Sequence, residues 1–183
     1  MKQVDLSKYS NEWYKPGSII KRALWYITNI IFFKSSIPYP YKIKSALLRI
    51  FGAKVGNGVI IKPNVNIKFP WFLKIGDNVW IGEGVWIDNL TMVEIGNNVC
   101  ISQGAYLLTG NHDYKKETFD LIVKPITIED GCWVGAKAIV CPGVKMKSHS
   151  VLTVGSVLTK DTEPFGIYQG NPATFKKKRV IEK

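Results

Sequence analysis

The sequence predicts an all-β chain wound as a parallel β-helix, a triangular prism of about five coils, and three observations predict it. First, an aliphatic residue recurs every six positions, as in Val55, Ile61, Ile67 and again in Ile75, Ile81, Ile87. Second, four positions after most of these stands another small or branched residue, such as Val59, Val65, Val79 and Val85, with Gly, Asn, Asp or Lys between. Third, each break in the spacing follows a third hexapeptide: steps of eight lead into Ile75 and Ile95, and a long break follows Leu107 before Ile128. A helix has no use for a period of six, because its apolar face returns every 3.6 residues. A short strand plus a turn does, with Gly and Asn at corners that demand positive φ. Insertions in one phase of three mean that three strands close one coil, and a fixed repeat of this kind is a solenoid signature.

Taken in order, residues 1–50 read as a helical cap, because an exposed solenoid end needs cover. Within it Ala23–Phe33 is apolar and follows Lys21 and Arg22. This stretch is about half of what a bilayer span requires. It reads as a capping amphipathic helix, with a second reading as a helix resting on a membrane surface, assisted by Lys34, Lys42, Lys44 and Arg49. Residues 51–163 form the β-helix, about 24 Å tall at roughly 4.8 Å per coil. The break at 108–127 is an expelled loop. Residues 164–183 read as a C-terminal tail.

The formal net charge is +11. Such an excess points to an anionic partner, either a phosphorylated cofactor or an acidic membrane surface. Zinc-finger spacing and RNA-binding signatures are missing, so nucleic acid is not an expected partner. The three cysteines, Cys100, Cys132 and Cys141, are odd in number and scattered. They read as packing or surface thiols of a cytoplasmic protein without a secretory leader.

A loop expelled from a rigid repeat is where function concentrates. This one carries Thr109-Gly-Asn-His-Asp-Tyr114, and His112 is one of two histidines in the chain. An imidazole in that position suits a general base that removes a proton as a hydroxyl attacks an acyl carbon. A backbone N–H would then stabilise the oxyanion. Asp113 either orients the imidazole, accepts a bond from the substrate, or closes the turn. His149, in Lys147-Ser-His-Ser150, reads as a solvated turn residue.

The [aliphatic]-Gly-x-x-[small]-x pattern over roughly residues 52–174 resembles the hexapeptide-repeat O-acetyltransferases, closest to the colanic-acid-type and maltose–galactoside group. The resemblance implies a left-handed coil, an exception to the right-handed rule for parallel crossovers. The Gly110-Asn-His-Asp113 segment is similar to the family's catalytic loop, which implies that His112 is the base and acts without an acyl-enzyme. In the same way Asp88 and Asn89 match positions that hold the acceptor. Cys132-Trp-Val-Gly-Ala136 resembles the segment where Trp133 borders the thioester and Gly135 and Ala136 meet the pantetheine arm. Val154-Gly-Ser-Val-Leu-Thr-Lys-Asp161 resembles the segment for adenosine and phosphates, which assigns Val154, Thr159 and Lys160 to the cofactor. Gly170-Asn-Pro-Ala173 matches a closing motif usually followed by Arg; Thr174 stands there, and Lys177 is the nearest replacement by count. The resemblance further implies acetyl-coenzyme A as donor, a sugar or surface-polysaccharide precursor as acceptor, and a homotrimer with sites between neighbours. Outward-facing Trp80, Trp86 and Tyr106 would provide apolar faces for that assembly. Enzymes of the subgroup often work near lipid-linked sugars, which adds the inner face of the cell membrane as a second reading of where this cytoplasmic chain acts.

Two rivals use the same prism. A zinc carbonic anhydrase needs three histidines per metal, and two per chain do not supply them, so no metal is expected. A non-catalytic scaffold or membrane-associated interaction module is the other alternative, but it has no need for a histidine in the break.

Overall fold

The computed structural model describes residues 3–182 and shows a left-handed parallel β-helix closed at one end by helices. Each coil contributes one strand to each of three flat faces. The first face stacks Lys54–Val55, Leu73–Ile75, Val93–Ile95, Ile126–Ile128 and Lys145–Met146 in parallel. The second begins with Ile60–Ile61 and Trp80–Ile81 and runs through Trp133–Val134 to Val151–Leu152. The third runs from Asn66–Ile67 through Trp86–Asp88 and Tyr106–Leu108 to Val157–Leu158. The register places period on period: Ile61 lies over Ile81, which lies over Ile101. Every hexapeptide aliphatic from Ile61 to Leu158 is buried, and the second set four residues on, from Val59 to Ser156, is buried too. Val55, at the open start, is only partly so.

The corner between first and second faces shows why Gly-Asp/Asn-Asn recurs. The Asn57 N–H donates to Asp77 Oδ1 at 2.6 Å, the Asp77 N–H to Asn97 Oδ1 at 2.8 Å, and the Asn97 N–H to Asp130 Oδ1 at 2.7 Å. Each coil thus satisfies the turn donors of the coil stacked before it, which unpaired would be costly. Asn78 and Asn98 follow at φ +55°, a left-handed conformation that Asn tolerates. A Cβ on Gly76 would lie 2.8 Å from the Gly96 carbonyl oxygen, so only glycine lets the coils approach here.

All large insertions fall at the corner between third and first faces, as the spacing predicts. They comprise the turn Pro70–Phe72, the segment after Asp88, and the hairpin of Gly110–His112 with Leu121–Val123.

The cap has two helices. Helix α1 (Ile19–Thr28) starts at Ser18, whose hydroxyl accepts from the Lys21 N–H, and it widens into a π turn over Asn29–Phe33. Its inward side plants Trp25 against Phe33 and Phe51, with the indole N–H donating to the Ile67 carbonyl at 2.8 Å. Helix α2 (Tyr41–Ile50) follows Pro38 and Pro40 and covers the first coil with Leu48. One expectation is corrected here. Lys44, expected among cations at a membrane, is fully buried and donates to the Lys62 carbonyl at 2.9 Å; burial lowers its pKa. Arg49 folds back on the Val55 and Gly56 carbonyls.

The segment read as a tail is ordered as structure. Gly166–Gly170 adds a parallel strand to the second face beside Val151–Leu152, and Ala173–Lys178 returns antiparallel to it. Buried Tyr168 seals the last coil, which a polar tail would leave open.

Candidate active site

The hairpin exists because Thr109 anchors its base. The Thr109 hydroxyl is fully buried, donates to the Asp88 carbonyl at 2.8 Å, and accepts from the Leu90 N–H at 2.9 Å. From there Gly110, Asn111 and His112 pair with Val123, Ile122 and Leu121. His112 ends the strand half-buried, stacked on Phe119 at 4.4 Å between ring centroids and 7° between planes. Its Nδ1 lies 2.9 Å from the Phe119 carbonyl oxygen. A carbonyl only accepts, so Nδ1 carries the proton and Nε2 keeps its lone pair in the neutral ring. Phe119 sits at φ +50°, and this conformation aims both its ring and its carbonyl at the histidine.

Asp113, a candidate for orienting the imidazole, does not do so. Its carboxylate accepts from the Lys115 N–H at 3.1 Å and its N–H donates to the Asp120 carbonyl at 2.8 Å, so it closes the hairpin turn. The orienting acceptor is a backbone group, which has no residue signature.

Sequence reasoning also missed a strap. Residues 5–17 leave the helices and cross over the hairpin. The Asp5 N–H donates to the Glu117 carbonyl at 2.9 Å, Lys8 pairs with Glu117, and Tyr9 lies 5.8 Å from the His112 ring. Tyr14 donates to the Leu90 carbonyl at 2.6 Å. Its phenol is shifted upward, first by burial and then by nearby Asp88. Under the strap lies a cavity of about 530 Å³ bounded by Tyr9, Tyr14, Arg22, Lys68, Leu90 and His112. That volume suits a small-molecule substrate.

Asp88 and Asn89 part company. Asp88 is nearly buried; Lys68 Nζ stands 3.1 Å from Oδ1, and Tyr106 donates to Oδ2 at 3.4 Å. Burial, with Asp88 alongside, pushes the Tyr106 phenol up to about 12. Asn89 is fully buried and reaches no cavity. Its Oδ1 accepts from the Lys68 and Phe69 N–H groups, and its Nδ2 donates to the Phe69 carbonyl. It shapes the preceding corner turn, a correction to its reading as an acceptor contact.

The residues assigned to the cofactor lie elsewhere on the prism. Trp133 projects from the second face, 47% exposed, its indole N–H on the Ser102 hydroxyl at 2.9 Å. Gly135 is buried at the corner of second and third faces. Its N–H donates to the Leu152 carbonyl, its carbonyl accepts from the Ala138 N–H, and a Cβ would lie 2.6 Å from the Val154 nitrogen. Gly135 therefore serves coil packing. Ala136 and Val154 occupy the same corner one coil apart, and neither N–H has a backbone partner. Thr159 and Lys160 are exposed at the corner of third and first faces, and Lys177 is exposed on the closing hairpin. His112 and the Trp133–Ala136–Val154 group are thus on different corners of one chain and do not converge within it. The other histidine is no solvated turn residue: His149, at φ +60°, stacks on Phe165 at 4.6 Å and buries its Nδ1. Among the described residues, no three His, Cys, Asp or Glu side chains gather as a metal site would require.

Comparison with known proteins fits this fold. The family model for the hexapeptide repeat of succinyl-transferase matches residues 73–109 and 125–160. The putative colanic acid biosynthesis acetyltransferase WcaF of Escherichia coli is 36% identical over 96% of this chain and 97% of its own. The chain belongs to the hexapeptide-repeat acetyltransferases. This acetyltransferase is also 30% identical to galactoside O-acetyltransferase of Escherichia coli, over 76% of the chain and 70% of the relative. Among solved structures, galactoside acetyltransferase in complex with coenzyme A superposes with a TM-score of 0.76 at 25% identity, over 87% of this chain and 80% of that one.

Proposed function

We propose that this acetyltransferase moves an acetyl group from acetyl-coenzyme A to a hydroxyl of a sugar or surface-polysaccharide precursor, with His112 as general base. The observation that carries this reading is the imidazole fixed by the Phe119 carbonyl at the wall of a substrate-sized cavity. Acetyl-coenzyme A supplies the activated thioester. His112 Nε2 takes the proton of the acceptor hydroxyl as its oxygen bonds to the acyl carbon, then returns it to the departing thiolate. The Ala136 N–H has no intramolecular backbone partner and is the candidate donor to the oxyanion. Trp133, Val154, Thr159, Lys160 and Lys177 are left for the donor; the lysines offer charge to its phosphates.

The same geometry supports a homotrimer. The base and the Trp133–Ala136–Val154 group meet in one site only if neighbouring copies each contribute one set. Exposed Trp80 and Trp86 supply apolar faces for such packing. Labelled acetyl-coenzyme A with a panel of free, nucleotide-linked and lipid-linked sugars, read by mass spectrometry, tests the activity. Light scattering tests the trimer, and an active monomer overturns it.

The chain works in the cytoplasm, where its three free thiols persist, and its cap rests on the inner face of the membrane. No helix among the described residues is long and apolar enough to cross a membrane. Yet α1 exposes Ile19, Ile20, Leu24, Tyr26 and Ile27. Trp13–Gly76 holds eleven Lys and Arg and no Asp or Glu, which equals the whole formal net charge of +11. Apolar side chains beside exposed cations such as Lys34 and Lys42 match an anionic lipid surface. Sedimentation with anionic vesicles, lost in Ile20→Asp and with zwitterionic vesicles, is the expected result; equal binding to both lipids overturns it.

A further inference from the structure

We propose that the strap decides whether His112 delivers a sugar or a water to the thioester: residues 5–12 swing off the hairpin to admit the acceptor and close over it again, and Tyr9 is the side chain that covers the base. This rests on the general-base reading of His112 and adds how the site chooses between two oxygen nucleophiles.

The base by itself makes no such choice. In transfer, a sugar oxygen bonds to the acyl carbon, the carbon–sulfur bond breaks, and Nε2 carries the sugar's proton to the departing thiolate. In hydrolysis a water oxygen does the same, and acetate leaves. The cavity of about 530 Å³ beside His112 has room for on the order of fifteen waters until a sugar displaces them. Selection therefore falls to whatever closes the cavity against bulk water once the sugar is in. Its lining is shared between the strap, through Tyr9, Asn11, Glu12 and Lys15, and the body of the molecule, through His112 and Leu90. The strap is held unevenly. At its inner end Tyr14 is half-buried and donates to the Leu90 carbonyl at 2.6 Å, and Gly17, at φ +101°, makes the turn into α1 that a side chain would strain. At its outer end no residue from Asp5 to Trp13 is buried. Among the described residues, its bonds to the hairpin there are the Asp5 N–H on the Glu117 carbonyl at 2.9 Å and the Lys8–Glu117 ion pair. A segment with so few buried contacts opens readily, and an exposed ion pair adds little to hold it. Tyr9, 5.8 Å from the imidazole, rides on this loosely held end. A fixed hinge, a weak latch on the tip of the catalytic hairpin and a ring over the base are the parts of a lid.

The test uses the full chain and two readouts. The first needs no acceptor: the rate at which diethyl pyrocarbonate modifies His112, located by mass spectrometry, with His149 as the internal reference. Lys8→Glu sets a carboxylate against Glu117 and is expected to speed modification of His112 about threefold, the scale of one exposed ion pair turned into a repulsion. Lys8→Glu combined with Glu117→Lys restores the wild-type rate, which a merely misfolded variant would not do. Tyr9→Ala uncovers the ring outright and speeds modification further, while His149 reacts alike in every variant. The second readout is the ratio of acetate to acetylated sugar formed from acetyl-coenzyme A with the sugar panel. That ratio rises in the same order of variants, with the KM for the sugar raised and the KM for acetyl-coenzyme A unchanged. Modification of His112 unchanged in both Lys8→Glu and Tyr9→Ala overturns the lid, whatever the acceptor is. Faster modification with an unchanged ratio describes a cover that does not select, and overturns the inference as well. Faster modification with acetate but no sugar ester, even from wild type, supports the lid and overturns the sugar-acceptor reading instead. Acetyl transfer undiminished in His112→Ala overturns the base reading by itself.

Discussion

His112 and His149 each lie flat on a phenyl ring, at 4.4 and 4.6 Å and the same 7° between planes, and both phenylalanines sit at positive φ. The local arrangement is nearly shared; the surroundings are opposite. His112 stands on an expelled hairpin with its Nδ1 on a carbonyl and a cavity beside it. His149 is wedged in a prism corner against Gly131, over which Arg179 donates to the Gly131 and His149 carbonyls. Its Nδ1 is buried and unpaired. Stacking on an aromatic ring thus fixes an imidazole without assigning it work. On the proposed reading, what separates base from filler is an acceptor that fixes the tautomer and free volume for a substrate.

The largest expected effect breaks or confirms this contrast directly. His112→Ala lowers kcat by about 10²- to 10⁴-fold with the oligomeric state unchanged, by steady-state kinetics and light scattering; a kcat near wild type removes the distinction. Next, Phe119→Ala keeps the carbonyl but loses the ring that flanks the imidazole, and the expected loss in kcat is about tenfold, because small misplacements of a base are costly. Smaller still, His149→Asn retains a residue tolerant of positive φ but loses the stack, costing about 1 kcal/mol of stability, read as a drop of about 2–4 °C in Tm, with turnover within about twofold of wild type. A larger fall in turnover than in stability would give His149 a function.

The smallest effect concerns Lys44, whose pKa burial lowers. Between its folded pKa and the unfolded value, the unfolded chain binds more protons, so wild-type stability rises with pH through that window. Lys44→Met lacks the proton. The stability of wild type relative to Lys44→Met should therefore improve as pH climbs from 7 toward 10, measured by denaturant titration. A constant difference would show that the ammonium is fully solvated.

The coils were legible because burial enforces their period: two inward positions per hexapeptide leave little freedom at Ile81 or Val99. The loop was legible because it breaks that period. Three things were not. The strap from Asp5 to Gly17 packs by single contacts such as Tyr14 to Leu90, with no repeat to betray it. The partner of His112 is a backbone carbonyl, which any residue possesses. Asn89 and Gly135 hold positions that a motif assigns to ligands, and nothing in the motif announces that these groups also hold the corner turns. Lys44 shows the same limit from the opposite side, since an ammonium on an amphipathic helix reads as solvent-facing until the first coil is seen to supply the Lys62 carbonyl.

Outside Trp13–Gly76 the remaining cations and carboxylates cancel, so the molecule is electrically lopsided along its long axis. At cellular ionic strength such an imbalance is felt over only about 8 Å. Any negatively charged surface will therefore ignore the protein at a distance and rotate it in the last moment before touch, helices foremost, with the coils trailing away into solution.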